Sequence, residues 1–221
     1  VTGYGATYNP SKNSLKLPQL ISLKASAEGN LSDVISKNTN YNNKVNERIT
    51  AFSGLKSFST RLVNALQTTD ATPETIGNAK TFNRKMQGKK ASSAQTPTDP
   101  NTPAPTTIST SQQSYDQLIQ HLAGLNSVLE AETSYTPNET DLQVATIQAK
   151  IADLTAKNTA VATAYTSISN SRITRNETLY SSTTGLVETA NEVKKYVKSV
   201  FGTSSPQFAQ VKGIEFKKPK I

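Results

Sequence analysis

One stretch of this sequence occurs twice, with an offset of 127 residues between corresponding positions. The first copy begins at Tyr8-Asn9-Pro10 and the second at Tyr135-Thr136-Pro137. Apolar residues follow at the same spacings in both copies, and the correspondence extends to Arg48 in the first and Arg175 in the second. Because two similar stretches of this length favour similar local structures, the repeat predicts an internal duplication with two related halves.

Both copies carry an apolar seam, in which apolar residues alternate at steps of three and four and so share one side of an α-helix. In the first copy the seam contains Leu17, Leu20, Ala27, Leu31, Val34, Tyr41, Val45 and Phe52. In the second copy it contains Val144, Ile147, Ile151, Leu154, Val161, Tyr165, Ile168 and Leu179. The seams predict two long, coiled-coil-like helices near residues 14–52 and 138–180. Breaks are expected at Ser53-Gly54 and at residues 181–185, where Ser and Gly interrupt the pattern.

The predicted fold class is all-α. Packing one seam against the other would bury both, which favours an elongated antiparallel helical bundle with two long helices derived from the duplication. The predicted domains in chain order are an extended N-terminal arm at 1–13, helical repeat 1 at 14–90, a Pro/Thr-rich linker at 91–108, a connecting helix at 109–134 capped by Ser109 or Thr110, and helical repeat 2 at 135–221 with a basic C-terminal tail.

Electric charge is distributed unevenly along the chain. Residues 1–90 contain 13 Lys and Arg against 5 Asp and Glu, and residues 150–221 contain 11 against 5. Residues 91–149 contain no Lys or Arg and six acidic residues. An acidic middle between basic ends favours contacts between copies of the chain, with a basic surface of one meeting an acidic surface of the next.

Composition narrows the classes of protein further. The absence of Cys excludes disulfides and thiolate metal sites. No run of about 18 apolar residues occurs, so no transmembrane segment is predicted. The surface is rich in Ser, Thr, Asn and Gln, which favours an extracellular or cell-surface location over a cytoplasmic one. The chain begins at Val1, which is consistent with removal of a leader or of the initiating Met alone.

Four stretches together resemble a group of uncharacterised bacterial all-helical proteins of the Bacteroidota type. They are YGATYNPS at 4–11, NERITAFSGLKSFSTRLVNAL at 46–66, FNRKMQGKKA at 82–91 and VKKYVKSVFG at 193–202. The resemblance covers most of the chain outside the linker. It implies a helical fold, and because the group has no assigned activity it implies no functional residues.

Two arginines occupy equivalent positions on the seams. Arg48 lies beside Glu47 and Arg175 lies near Glu177, while Arg172 adds a third guanidinium. An arginine on an apolar seam must be paired or reach solvent. The pattern predicts an inter-repeat polar layer that fixes the register of the two long helices, as a buried polar residue does in a coiled coil. The alternative interpretation is an anion-binding pocket at these arginines.

Basic residues cluster in two places. The basic patch consists of Lys80, Arg84, Lys85, Lys89 and Lys90 in the first repeat and Lys217, Lys218 and Lys220 in the tail. Such clusters can bind the phosphates of nucleic acid. Phe82 is the only aromatic residue within the first cluster, so little stacking surface is available, and no nucleic-acid-reading motif is present. The structural interpretation is a solvated helix end whose cations complement the helix dipole.

No catalytic constellation is found in the sequence. The single histidine, His121, lies beside the apolar face of its predicted helix, without an orienting carboxylate and nucleophile near it in sequence. A metal site would need two or three further ligands. The sequence therefore predicts no enzyme, no catalytic residue, no metal and no cofactor.

Two classes of function remain. The first is a non-enzymatic structural or interaction protein that self-associates through helical and charge-complementary surfaces, as a homo-oligomer or a filament-like assembly, or that binds a surface protein partner. The second is a basic helical protein that binds nucleic acid or another polyanion, favoured by the formal net charge of +8.

Overall fold

The computed structural model describes residues 1–88 and 113–218. Within these residues the secondary structure is entirely helical, as the sequence predicts. The α-helices are α1 Leu17–Phe52, α2 Leu55–Leu66, α3 Pro73–Gln87, α4 Tyr115–Ala131, α5 Val144–Tyr180, α6 Leu186–Phe201 and α7 Pro206–Lys212. Short 3₁₀ helices occupy Thr2–Thr7, Asn13–Leu15 and Thr140–Leu142. The predicted linker at 91–108 lies outside the described residues.

The predicted breaks after the two long helices are confirmed. α1 ends at Phe52, and Gly54 then adopts the left-handed region with φ +75°, which glycine enters without steric cost. α5 ends at Tyr180, and residues 181–185 are not helical. Both long helices begin later than predicted, because a 3₁₀ turn precedes each of them.

The same hydrogen bond organises both of these 3₁₀ turns. The hydroxyl of Tyr8 donates to the carbonyl oxygen of Leu15 at 2.8 Å, and the hydroxyl of Tyr135 donates to that of Leu142 at 2.8 Å. All four residues are buried. Each tyrosine thus satisfies a buried carbonyl just before a long helix, where the carbonyl would otherwise lack a partner.

The chain divides into two compact units. The central unit is residues Asn43–Ala162, and the terminal unit combines residues Val1–Asn42 with Thr163–Ile221. α1 passes from the terminal unit into the central unit, and α5 passes from the central unit into the terminal one. Each unit therefore contains part of both long helices together with short helices of its own.

The central unit contains a continuous hydrophobic core. The core is formed by large apolar side chains of α2, α3 and α4, joined by the start of α5. Its most buried members include Leu62, Leu66, Met86, Leu122, Leu125, Leu129, Ile147 and Leu154. α3 and α4 approach closely at Gly124, where a Cβ atom would lie 2.3 Å from Cε1 of Phe82. The aromatic ring occupies the space that a side chain at position 124 would need, so a larger residue there requires the ring to shift.

Aromatic contacts join the N-terminal segment of the terminal unit to α6. The Tyr8 ring packs edge-on against Tyr196 of α6 at 5.2 Å between centroids, and Tyr4 lies 5.2 Å from Phe201. The Tyr4 hydroxyl also donates to the carbonyl oxygen of Gln207 at 3.0 Å. The prediction of an extended arm at 1–13 is therefore wrong. The arm contains 3₁₀ turns and packs on its own chain, because Tyr8 buries its ring there and the partly exposed Tyr4 ring contacts Phe201.

Two further expectations differ from the structure. α4 begins at Tyr115, where the Ser114 hydroxyl accepts a hydrogen bond from the backbone N–H of Gln117, whereas Ser109 and Thr110 lie outside the described residues. In α1 only Ala27 is buried, and the seam residue Leu31 is 43% exposed. The largest described core therefore lies among the short helices of the central unit, where leucines are frequent, and not along the seam of α1.

No helix among the described residues is long and apolar enough to cross a lipid bilayer, in agreement with the sequence prediction.

Candidate functional site

Arg48 forms the centre of a polar cluster in the central unit. Its Nη1 donates to Oδ1 of Asn158 at 3.0 Å, and its guanidinium lies 4.0 Å from the centroid of the Tyr115 ring. Nδ2 of Asn158 in turn donates to Oδ1 of Asp116 at 2.7 Å. Arg48 Nε is buried without a hydrogen-bond partner among the described residues. The cluster links α1, α4 and α5, and cation–π contact together with the amide bridge compensates the half-buried charge.

Glu47 is paired with lysines and not with an arginine. Its carboxylate lies 2.9 Å from Lys44 Nζ and 3.3 Å from Lys157 Nζ. The hydrogen bond from Lys44, followed by that from Lys157, lowers the pKa of the Glu47 carboxyl against the opposing effect of burial. Because these side chains are partly exposed, the pairs contribute little to stability.

The other members of the predicted polar layer lie in the terminal unit. Nε and Nη2 of Arg175 both donate to Oδ1 of its sequence neighbour Asn176, at 3.1 and 2.8 Å. Nη2 of Arg172 donates to Oδ1 of Asn38 at 3.4 Å. Among the described residues, no hydrogen bond or ion pair involves the Glu177 carboxylate. The five residues therefore belong to two units, with Arg48 and Glu47 in the central unit and the remaining three in the terminal unit.

The different partners of the two equivalent arginines have a simple cause. The residue that accepts from Arg48 is Asn158, and the position that corresponds to it in the first copy is Leu31. Leucine cannot accept a hydrogen bond, so Arg175 has no equivalent amide and turns to its own neighbour. The correspondence between the two copies in sequence therefore does not extend to the partners of the two arginines.

The basic patch consists of separate parts. Lys80, Arg84 and Lys85 lie on α3 of the central unit, where Nη2 of Arg84 donates to the Thr81 hydroxyl at 3.2 Å. Lys217 and Lys218 lie in the terminal unit, and Lys217 pairs with Glu215 at 2.5 Å. The predicted patch residues Lys89, Lys90 and Lys220 lie outside the described residues.

A basic groove that the sequence analysis missed lies between α6 and α7. We call it the lysine groove. Its volume is about 530 Å³, and its lining residues are Glu188, Asn191, Lys194, Lys195, Lys198, Phe208 and Lys212. The sequence signal was the VKKYVKSVFG stretch, whose lysines at steps of three and four share one face of a helix. Pairing that face with α7, and with Phe208, requires the tertiary structure.

His121 is a buried residue of α4 with 6% of its surface exposed, and its Nε2 lacks a hydrogen-bond partner among the described residues. Burial, and then the positive charge of Lys85, lowers the pKa of its imidazole. The described residues contain no group of three or more His, Asp or Glu placed to hold a metal ion. This environment suits a neutral histidine in a helix interface.

A second cavity, of about 440 Å³, lies between α3 and α4 of the central unit. Its lining includes Thr75, Asn78, Phe82, Gly124 and Glu132. The Glu132 carboxylate already accepts from the hydroxyl and backbone N–H of Ser134, which lowers its pKa. The cavity therefore offers one engaged carboxylate and no convergent set of reactive groups.

No protein-family model matches the chain, and comparisons with curated proteins and with solved structures give no match. The resemblance to uncharacterised bacterial helical proteins therefore stays a prediction.

Proposed function

We propose that this chain is a non-enzymatic interaction protein that self-associates through apolar side chains exposed on α1 and α5. The observation that carries the proposal is the exposure of large apolar residues on both long helices within the terminal unit. They are Ile21 at 57%, Leu31 at 43%, Ile35 at 68%, Tyr165 at 57% and Ile173 at 57%. Single exposed apolar residues are ordinary, but several on the same two helices are typical of an interaction surface.

The spacing of these residues on α1 supports an interrupted apolar stripe, in which the exposed ion pair of Lys24 and Glu28 separates Ile21 from Leu31. Leu31 and Ile35 are four residues apart, and Ile21 precedes Ile35 by fourteen, which is close to four helical turns. The three side chains therefore occupy one sector of the helix surface. A second copy of the chain would bury this stripe, whereas water leaves it exposed at a free-energy cost proportional to its area.

Charge complementarity between copies is the weaker part of the proposal. The acidic residues of 113–149 belong to the central unit, and most of them already bond there. Asp141 pairs with Arg61 at 2.6 Å, and Asp116, Glu130 and Glu132 accept hydrogen bonds from Asn158, Gln148 and Ser134. These acids are therefore less available to a basic surface of another copy than the sequence alone suggested.

Light scattering after size-exclusion chromatography tests the proposal. The wild-type mass should exceed that of a monomer and persist at 1 M salt, where the Debye length is about 3 Å and contacts between exposed charges are screened. Ile35→Gln should shift the mass toward the monomer. The matched control is Ile49→Gln, which removes another exposed isoleucine of α1, 52% exposed, from the central unit. A monomeric wild type at every concentration and salt would contradict self-association.

The antiparallel pairing of α1 with α5 is the architectural part of the proposal. It is supported by contacts within the terminal unit in which residue numbers fall along α5 as they rise along α1. The contacts are Asn30 Nδ2 to Thr178 Oγ1 at 2.8 Å, Arg172 to Asn38 at 3.4 Å, and the Tyr41 and Tyr165 ring centroids at 5.9 Å. Cysteines at Asn30 and Thr178 should crosslink under oxidation, whereas cysteines at Asn30 and Tyr165 should not.

Polyanion binding is a second candidate function, favoured by the charge of the terminal unit. This unit contains 13 Lys and Arg against 6 Asp and Glu, a formal charge of +7. The central unit contains 11 against 10, a formal charge of +1. Nearly all of the excess positive charge therefore belongs to one unit, and such a field attracts anionic partners. Binding of a polyanion that weakens steeply with salt would support this candidate.

A further inference from the structure

The lysine groove between α6 and α7 has a larger excess of cations than its neighbours can neutralise. Four lysines and one carboxylate, Glu188, line it. The other acidic residue of α6, Glu192, is engaged by Lys12, whose Nζ lies 2.6 Å from its carboxylate. The lining therefore has a formal charge of +3, which attracts anions to the groove.

The four lysines have different roles. Lys194 is structural, because its Nζ donates to the carbonyl oxygens of Lys212 at 3.1 Å and Ile214 at 2.7 Å and so ties the end of α7 to α6. Among the described residues, no hydrogen bond or ion pair involves the ammonium groups of Lys195, Lys198 and Lys212. Lys195 and Lys198 are three residues apart on α6, which makes them neighbours on the helix surface. Three ammonium groups are thus free to meet an anion.

Phe208 supplies the second element of the groove. It belongs to α7, is partly exposed, and lines the same groove as the free lysines. Its ring makes no stacking contact with another aromatic ring among the described residues. An aromatic face beside a row of cations is the combination by which proteins bind single-stranded nucleic acid, with bases stacked on the ring and phosphates on the lysines.

We propose that the lysine groove binds single-stranded nucleic acid, with backbone phosphates on Lys195, Lys198 and Lys212 and a base against Phe208. This inference rests on the second candidate function, polyanion binding, and assigns it to one site. Duplex DNA fits less well, because its bases are stacked on one another and cannot reach the ring. Inorganic polyphosphate shares the phosphate chemistry but offers nothing to Phe208.

Fluorescence anisotropy with a labelled oligothymidylate of about 12 nucleotides tests the proposal at about 50 mM salt and above. The variant K195Q/K198Q should bind at least about ten-fold more weakly than wild type, and its log–log salt slope should be smaller by about 1.4, since each lost phosphate contact removes about 0.7. The matched control is K16Q/K24Q, which removes the same charge from the terminal unit outside the groove. It should lose at most a few-fold in affinity.

The ring is tested separately with Phe208→Leu, which keeps an apolar side chain and removes the aromatic face. This variant should bind the oligonucleotide about ten-fold more weakly, in line with the loss of one stacked base. Its inhibition by inorganic polyphosphate, measured as competition, should be unchanged. Circular dichroism melts confirm that each variant is folded before its affinity is compared.

The outcomes separate the site from the function. If wild type does not bind the oligonucleotide at low salt, both the polyanion function and the groove assignment are wrong. If K195Q/K198Q and K16Q/K24Q lose the same affinity, polyanion binding stands and its assignment to the lysine groove is wrong. If Phe208→Leu binds like wild type and polyphosphate competes as well as oligothymidylate, the assignment to nucleic acid is wrong.

Discussion

In the central unit α2 packs with two further helices, α3 and α4, whereas in the terminal unit α6 packs against the seven-residue α7 and the N-terminal 3₁₀ segment. α2 and α6 follow the two long helices in the same way, and Thr72-Pro73 and Ser205-Pro206 start the helices after them with the same side-chain cap. The two units therefore resemble each other in how these helices begin, but they differ in the elements that pack against α2 and against α6.

The difference in packing partners determines how many large side chains each unit buries. Leu66 of α2 and Val197 of α6 each have 0% exposure, but Leu66 belongs to a core formed by large side chains of α2, α3, α4 and the start of α5. The terminal unit buries fewer and smaller residues, and it carries most of the net charge and of the exposed apolar side chains. Regions with few buried contacts are those that open most easily and often carry binding functions. The comparison therefore predicts that the central unit is the more stable of the two, and it supports the proposal that binding belongs to the terminal unit.

The largest expected effect comes from removing a core side chain from each unit. Leu66→Ala should lower the free energy of unfolding by about 3 kcal/mol, since the cavity lies among three helices, and Val197→Ala by less, about 2 kcal/mol. Urea denaturation measures both values. In wild type, amide hydrogen exchange should be slower in α2–α4 than in α6–α7. Equal losses of unfolding free energy, together with equal exchange rates in the two sets of helices, would contradict the difference in stability between the units.

Within the central unit, the close approach of α3 and α4 can be tested at Gly124. Gly124→Ala places a methyl group into the Phe82 ring and should cost about 2 kcal/mol. Gly77→Ala on α3 is the matched control, because nothing lies within 4 Å of its Cβ position, and it should stabilise the helix by about 0.5–1 kcal/mol. Thermal melts of the two variants should shift in opposite directions. A shift in the same direction would contradict the proposed packing.

The two equivalent tyrosines should differ in their effect at alkaline pH. Burial, and then Glu139 and Asp141, raises the pKa of Tyr135 to about 12, while burial, followed by Tyr196, raises that of Tyr8. A raised tyrosine pKa stabilises the fold below the unfolded pKa of about 10, and this contribution is lost as pH rises through the folded value. The wild-type free energy of unfolding should therefore fall by about 2 kcal/mol from Tyr135 alone between about pH 10 and pH 12.

Phenylalanine variants measure these contributions by denaturation across that pH range. Tyr135→Phe should remove most of the alkaline loss, and Tyr8→Phe should remove less of it. Near neutral pH each variant should cost about 1 kcal/mol, because a buried carbonyl loses its donor. An alkaline loss that persists unchanged in Tyr135→Phe would place its cause elsewhere.

The two corresponding arginines should also differ in their contributions to stability. Arg48→Ala should cost about 1–2 kcal/mol, since it removes the hydrogen bond to Asn158 and the contact with Tyr115. Arg175→Ala should cost well under about 1 kcal/mol, because its bonds are confined to its neighbour Asn176. Thermal melts would detect the difference, and a larger cost for Arg175→Ala would contradict the separate roles assigned here.

The sequence predicted the helical class and the breaks after the long helices, because periodicity and glycine act locally. It also identified Tyr8 and Tyr135 as equivalent, and their matching hydrogen bonds agree with that. The partners of Arg48 were not predictable, since Asn158 and Tyr115 come from distant segments. The same limit applies to the lysine groove, whose cations are visible on α6 but whose aromatic wall is contributed by α7.

The arm at residues 1–13 illustrates why composition misleads at a terminus. Its Gly, Asn and Ser content is typical of extended segments, yet two tyrosine rings and the ion pair of Lys12 with Glu192 attach it to α6. The apolar seam of α1 led to the opposite error, because it predicted burial where the structure leaves side chains exposed. Apolar periodicity indicates which face can be buried, but burial itself depends on whether a neighbour covers that face, and Leu31 stays 43% exposed.

The central unit is one uninterrupted segment of chain, whereas the terminal unit joins residues 1–42 to residues 163–221. During synthesis on the ribosome, the chain emerges from its N-terminus, and domains fold as their residues become available. The Asn43–Ala162 segment can therefore complete its contacts while Tyr4 and Tyr8 still lack Phe201 and Tyr196. Those two rings are synthesised before the central unit but gain their partners only after it, so residues 1–42 are translated earlier than the central unit and complete their contacts later.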